Sequence, residues 1–317
     1  MGIRNASAGI IAAILTLASA SARAAETCGL IETASLDMGV DTDGQVYVPM
    51  TISGHQENML VDTAGVFSML LPRTVDEIGL QRQTANLVDA NSHFVRMYGG
   101  AVVKQFVVAD IVQLGLLSAK DMTLFVMPDE FRVSSQIGGL LAPDVLRRYD
   151  VDFDFAKGKL NLFSPDHCEG QVVYWTQQPF AKIPIKVDSE SGHITASVEL
   201  DGKDVEATLD TGTSRSLMRL ESARSLFGWG NDTAALKPVG TPSKDADTTE
   251  YRYPFHALTI DAIQVLNPDL VLVPDKVSGK TQGVGPAIIM GIGILRQLHL
   301  YIAYREHTLY ATAAGQR

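Results

Sequence analysis

Two stretches of the chain repeat one pattern. "ENMLVDTAGVFSML" (Glu57–Leu70) and "VEATLDTGTSRSLM" (Val205–Met218) each carry an apolar run ending in Asp-Thr, then small residues, a serine and an apolar pair. Displaced by 148 positions, Val46–Met69 lies over Ile194–Leu217 without a gap; the turn pairs Ser53-Gly54 and Asp201-Gly202 coincide, as do Asp62 and Asp210. Each copy reads as two strands joined by a tight glycine-containing turn, a β-hairpin. A second match follows at an offset of 149, where "LLAPDVLRRYDVDFDF" (Leu140–Phe155) faces "IMGIGILRQLHLYIAY" (Ile289–Tyr304). Here an apolar tripeptide ending in a small residue leads into a short helical stretch and a closing strand. In the first copy that strand alternates Val151, Phe153 and Phe155 with Asp150, Asp152 and Asp154. A repeat of this length means one unit built twice.

Between the motifs, "GGAVVKQFVVADIVQLG", "MTLFVMPDEF", "YPFHALTIDAIQVL" and "DLVLVPD" read as further strands, and only "PRTVDEIGL" and "RLESARSLFG" carry helical signals of any length. The expected fold class is therefore all-β, mainly strand with short helices, in two similar lobes. The 317 residues suffice for two such lobes, and 46% apolar with 20% charged residues is ordinary for a globular chain. A formal charge of −10 without a basic patch argues against a nucleic-acid partner.

The first residues have a different character. Arg4 lies in a short polar lead, an apolar run extends from Ala8 to about Ala18, and Ala22-Arg23-Ala24 forms an A-x-A pattern. This is the layout of a cleavable secretory signal, with an apolar run short for a bilayer span. The expected organisation is a signal peptide over residues 1–24, a first lobe over 25–165, a connector over 166–182 and a second lobe over 183–317. Export implies a periplasmic or secreted protein with no stable membrane span once the signal is removed; an uncleaved signal acting as an anchor is the alternative. Cys28 and Cys168 are the only cysteines. In an oxidising compartment they form a candidate disulfide; two separate thiols are the alternative, since sequence does not supply the Cα separation a bridge requires.

An apolar strand ending in Asp-Thr-Gly and followed by Ser and Thr, as at Asp210-Thr211-Gly212-Thr213-Ser214, resembles the active-site turn of aspartic peptidases. Ile289-Met290-Gly291 is similar to that family's hydrophobic-hydrophobic-Gly element, and the layout from Phe106 to Phe163 resembles bacterial retropepsin-like proteins. The resemblance covers most of the mature chain. It implies a bilobal pepsin/retropepsin-like acid protease fold with pseudo-two-fold symmetry, and an exported aspartic endopeptidase acting on protein or peptide substrates in extended conformation. Asp62 and Asp210 would form the catalytic dyad and activate a water, with no cofactor and no metal. Two carboxylates brought close cannot both ionise cheaply, so they share a proton and supply both a general base and a general acid. One lobe cannot make such a site, and two lobes in one chain, as a monomer, can.

The resemblance also implies supporting roles. Thr63 and Thr211 would cross the lobe interface and bond the opposite turn; local bonding within their own turns is the alternative. "RMYGGAVV" (Arg96–Val103) is the candidate flap, with Gly99 and Gly100 allowing close approach of a peptide and Tyr98 as a contact; a plain turn is the alternative. The corresponding "KDADTTEYRY" has no Gly pair, which suggests a single flap. Among the residues flanking the dyad, Thr213 offers a hydroxyl to Asp210 where Gly65 offers none to Asp62, so Asp210 is expected to ionise first and Asp62 to hold the shared proton.

The first half departs from the family twice: Ala64 stands where the second half has Gly212, and Ala142 where it has Gly291. These exchanges leave a second reading open, a non-catalytic peptide-binding or inhibitory protein on the same scaffold. Other chemistries find little support. "DMGVDTDGQVY" lacks the carboxylates of a calcium loop at Gly39 and Met50, no zinc-peptidase His pair occurs, and Gly-x-Ser-x-Gly is absent.

Overall fold

The structure, a computed structural model, describes residues 28–84, 103–129, 131, 133–230, 233–240, 248–274 and 285–315. Both repeated hairpins form. Val46–Ile52 pairs antiparallel with His55–Val61, and Ile194–Leu200 with Lys203–Leu209. At each turn both central residues, Ser53-Gly54 and Asp201-Gly202, have positive φ, the combination whose twist suits a two-residue hairpin loop. Beyond its Asp-Thr turn each half makes a short strand, Met69–Leu70 or Ser216–Arg219. A helix follows, Pro72–Ile78 or Leu220–Phe227, closed by a left-handed glycine, Gly79 or Gly228.

A third strand, Gly139–Leu141 or Ile288–Met290, runs parallel to the second hairpin strand and antiparallel to the short strand, so each Asp-Thr turn emerges between two paired legs. In the first lobe the sheet closes on itself, because Val46–Ile52 pairs with Gln105–Leu114 as well as with its hairpin partner. The fold is mainly β, with two similar lobes. Among the described residues no helix is long and apolar enough to cross a membrane.

The lobes are joined by strands. After a four-residue helix (Pro143–Leu146 or Ile292–Leu295) each half ends in a closing hairpin: Asp150–Asp154 with Lys159–Phe163, and Leu298–Ala303 with Thr308–Ala313. These hairpins meet edge to edge, pairing Val151 with Ile302, Asp152 with Tyr301, and Phe153 with Leu300. At the repeat offset of 149, Val151 corresponds to Leu300 and Phe153 to Ile302, so the ladder is its own counterpart and the pseudo-two-fold axis passes through the Asp152–Tyr301 pair. Glu32–Asp37 and Ala181–Val187 extend this common sheet to six strands.

One face of the common sheet is apolar: Val151, Phe153, Leu300 and Ile302 are all at most 1% exposed, a burial that contributes roughly 1.5–3 kcal/mol each. The opposite face carries Asp150, Asp152 and Asp154, and these are buried too. They are covered by the connector, which the Cys28–Cys168 disulfide fastens with a Cα separation of 5.0 Å. Burying a carboxylate costs several kcal/mol, so each needs partners. Asp152 takes Tyr174 Oη at 2.7 Å, Asn161 Nδ2 at 2.8 Å and His299 Nε2 at 2.6 Å. Asp154 takes Lys157 Nζ at 2.5 Å. Asp150 takes His167 Nε2 at 2.5 Å, and Trp175 stacks on His299 with centroids 4.2 Å apart.

Burial opposes protonation of His167, but its hydrogen bonds to the Asp150 carboxylate and the Cys168 carbonyl and the charges of Asp150 and Glu306 outweigh it and raise the imidazole above its ordinary value. A raised histidine stabilises the fold fully below its unfolded value near 6.5, and this contribution is lost as pH rises through the folded value. His167→Ala is therefore expected to lower unfolding free energy by about 3–5 kcal/mol at pH 5.5. The deficit should shrink at pH 8.5. Urea unfolding of both proteins at the two pH values checks this, and a deficit that does not depend on pH would contradict it.

Candidate active site

Asp62 and Asp210 stand at the ends of equivalent strands, each held by a third-strand carbonyl: Asp62 N donates to Leu141 O at 3.0 Å and Asp210 N to Met290 O at 2.9 Å. The carboxyls come together at the lobe boundary, where Asp62 packs against Gly212 of the opposite turn and each acts on the ionisation of the other. Asp62 Oδ1 accepts from Ala64 N at 3.0 Å and Gly65 N at 2.8 Å. Asp210 accepts from Gly212 N at 2.9 Å and from the Thr213 backbone.

Beneath the carboxylates the two threonines exchange four bonds. Thr63 Oγ1 donates to Leu209 O at 2.8 Å and accepts from Thr211 N at 3.1 Å. Thr211 Oγ1 donates to Val61 O at 2.6 Å and accepts from Thr63 N at 3.2 Å. Both side chains are buried, so the bonds act without competing water. Ser68 and Ser216 add a second pair of ties: their hydroxyls accept from Ala142 N and Gly291 N, each at 3.0 Å, and pin the third strand's end to the leg after the turn. Sequence reasoning noted the repeated serine but gave it no role; its equal distance from both aspartates was the available signal. In the first lobe alone, Asp144 Oδ1 also accepts from Ser68 Oγ at 2.7 Å and Ser68 N at 2.9 Å.

The glycine exchanges have a packing explanation. A Cβ on Gly291 would lie 2.3 Å from Arg215 O and 2.9 Å from Thr213 O, so nothing larger fits. In the first lobe the residue matching Thr213 is Gly65, and the fully buried Ala142 methyl occupies the space below it; a Cβ on Gly65 would stand 3.3 Å from that methyl and 2.8 Å from Asp62 Oδ2. Gly212 is required for another reason, since a Cβ there would meet Asp62 Cγ and Oδ1 at 2.5 Å. Ala64 carries a methyl at the matching place, so the approach open to Asp62 over Gly212 has no equally close counterpart in the first turn. The two half-sites are alike in bonding and unequal in shape.

The expected order of ionisation is reversed. Thr213 Oγ1 reaches Arg215 O at 3.4 Å rather than Asp210 and gives that carboxylate no support. Burial and then the adjacent charge of Asp62 push Asp210 up to about 8. Burial also raises Asp62, but the Ala64 and Gly65 amides, the charge of His193 and the bond from Asp210 act against the rise. The balance leaves Asp62 the more readily ionised of the two and Asp210 the more readily protonated. Of the remaining candidates, Cys28 and Cys168 are disulfide-bonded. Tyr98, Gly99 and Gly100 lie outside the described residues, as does the N-terminal segment read as a signal.

Aspartyl protease sequences match residues 48–145 and 196–294, one span in each lobe, and the chain belongs to that family. Among solved structures, basic 7S globulin from soybean shares the fold with a TM-score of 0.50 over 91% of this chain and 96% of that one; at 8% identity the likeness concerns fold alone. No curated protein sequence matches the chain.

The packing analysis gives unequal expectations for two equivalent positions. Gly291→Ala should destabilise by about 3 kcal/mol, because the obstructing atoms are backbone. Ala142→Gly should cost only about 1 kcal/mol, through a lost methyl and a freer unfolded chain. Urea midpoints of the two variants check the order, and equal losses would refute it.

Proposed function

We propose that this protein is an exported aspartic endopeptidase whose Asp62–Asp210 pair activates a water. The observation that carries the reading is the meeting of the two Asp-Thr turns at the lobe boundary, where Asp62 lies against Gly212 and the two carboxyls act on each other, above the reciprocal Thr63–Thr211 bonds. Water oxygen attacks the scissile carbonyl carbon while ionised Asp62 takes one water proton and Asp210 gives its proton to the carbonyl oxygen. Asp62 then gives its proton to the amide nitrogen while Asp210 takes one from a gem-diol hydroxyl, the C–N bond breaks, and a carboxylic acid and an amine leave with the pair restored. The supporting roles fall to Ala64, Gly65, Gly212 and Thr213, whose backbone amides orient the carboxylates, and the substrate would lie extended across the pair. The Cys28–Cys168 disulfide agrees with a periplasmic or secreted location.

The non-catalytic reading rests on Ala64. Against it, Ala64 N keeps its bond to Asp62, so the methyl does not unseat the carboxylate. Peptide binding by well-folded protein without cleavage at any pH would favour that reading.

Asp62→Asn and Asp210→Asn are each expected to lower kcat/KM on a mixed peptide library by at least roughly 10²–10⁴-fold. Circular dichroism of both variants should remain native, so that loss of fold is excluded as the cause. The pH profile follows from the proton's place. Activity needs Asp210 protonated and is lost as pH rises through about 8; it needs Asp62 ionised and is lost in acid as that group takes up a proton. A bell-shaped profile with substantial activity at pH 7 is expected, and a basic limb below pH 6 would contradict it.

A further inference from the structure

The dyad sits in a nearly symmetric cradle, so whatever makes one carboxylate the base must break that symmetry. One break lies seventeen residues before each aspartate, just ahead of the first hairpin strand, where the first half has Gln45 and the second has His193. Gln45 Nε2 crosses the lobe boundary and donates to Gly212 O in the opposite Asp-Thr turn. The repeat places His193 in the matching position, toward the first lobe's turn.

Packing sets its loop against the first lobe. Asp188 N donates to His193 O at 3.0 Å and Gly192 N to Asp188 O at 2.8 Å, closing a tight loop. The Asp188 carboxylate accepts from Ser191 N and Oγ, both at 2.7 Å, and His193 N donates to Ser191 Oγ at 3.2 Å. Gly192, at φ +77°, presses on the first lobe: a Cβ there would lie 2.6 Å from Pro143 Cβ, immediately beyond Ala142. Arg147 Nη1 adds a bond to Ser189 O at 2.9 Å across the same junction. His193 Nε2 is shielded from solvent, and the charge of His193 acts on Asp62.

We propose that His193 is a positioning residue for the dyad: its imidazolium, reaching from the second lobe, holds Asp62 as the ionised partner, whereas neutral Gln45 gives Asp210 no such support. The inference rests on the dyad reading and assigns the two roles within it. Other charges near His193 are Asp188 and Glu190 on its own loop and Arg147 at the end of the first-lobe helix. Asp188, Glu190 and Arg147 are exposed and screened by solvent. Asp62 is the shielded partner, where a charge has most effect.

His193→Gln gives the second lobe the residue the first already has. With the fold intact, the acidic limb of kcat/KM should move up by about one pH unit, the low end of what losing an opposite charge does to a carboxyl. A merely structural histidine would alter KM or stability and leave the limb in place, which would overturn the proposal. The titration of the Asp62 carboxyl carbon, followed by ¹³C NMR in wild type and His193→Gln, makes the test independent of hydrolysis. An upward shift in a protein that cleaves nothing would sustain the coupling and sink the peptidase reading, and no shift in an active enzyme would do the reverse. Should the variant fail to fold, the coupling is read from the other side: Asp62→Asn should lower the His193 imidazole titration by the same amount, since coupling is reciprocal. An unmoved imidazole would overturn the proposal.

Discussion

Four hydrogen bonds between Thr63 and Thr211 and the strands beneath them fix the position of everything at the lobe boundary. Each hydroxyl donates to the last strand carbonyl before the opposite aspartate, Leu209 O or Val61 O, and accepts the opposite threonine's amide. Lobes docked in any other register would leave a buried hydroxyl and a buried amide on each side without partners, each at a cost of about 1–3 kcal/mol. The junction therefore favours one register of lobe against lobe, and in that register Asp62 is brought against the opposite Asp-Thr turn, beside Asp210. The common sheet serves the same end from further away, because the ladder of Val151, Phe153, Leu300 and Ile302 is self-complementary only about the axis that the threonines also share.

Duplication supplies two carboxylates, but equal carboxylates would share their proton equally and define neither acid nor base. The departures from symmetry cluster where they bear on that choice. Gly65 for Thr213 makes room for the Ala142 methyl; Ala64 for Gly212 keeps the first turn from matching the closeness of the second; His193 for Gln45 places a titratable group on one side only. The bonds from Ser68 and Ser216 and the threonine exchange stay symmetric. Symmetry is kept in what sets distance and given up in what sets charge.

Much of this was legible in the sequence because it is carried by short-range pattern. The hairpins, the strand ends at Asp62 and Asp210, and the helices at Pro72–Ile78 and Leu220–Phe227 all follow from alternation, turn residues and the ungapped repeat. The order of ionisation was not legible, because it turns on where a hydroxyl points and which amides close over an oxygen. Thr213 carries the right chemical group one residue too far round the turn, and it bonds Arg215 O. The role of His193 was hidden for a related reason: it lies seventeen residues from its own lobe's aspartate and acts across the boundary on the other one.

The three aspartates of Asp150–Asp154 show how a correct local reading can leave out the larger consequence. Their alternation with Val151 and Phe153 predicts two chemically distinct faces, and the strand has them. What alternation does not contain is the connector folded over the polar face, with His167 on Asp150 and Tyr174 on Asp152, while His299 reaches Asp152 from the other lobe's strand. A buried acidic row costs too much to persist alone. Its presence beside the pseudo-two-fold axis therefore ties the second lobe's strand, the disulfide-fastened connector and the first lobe's strand into one unit, and the lobes cannot part there without stripping carboxylates of their partners. Rigidity at that joint leaves the geometry of the dyad to be set by the threonines rather than by movement of one lobe against the other.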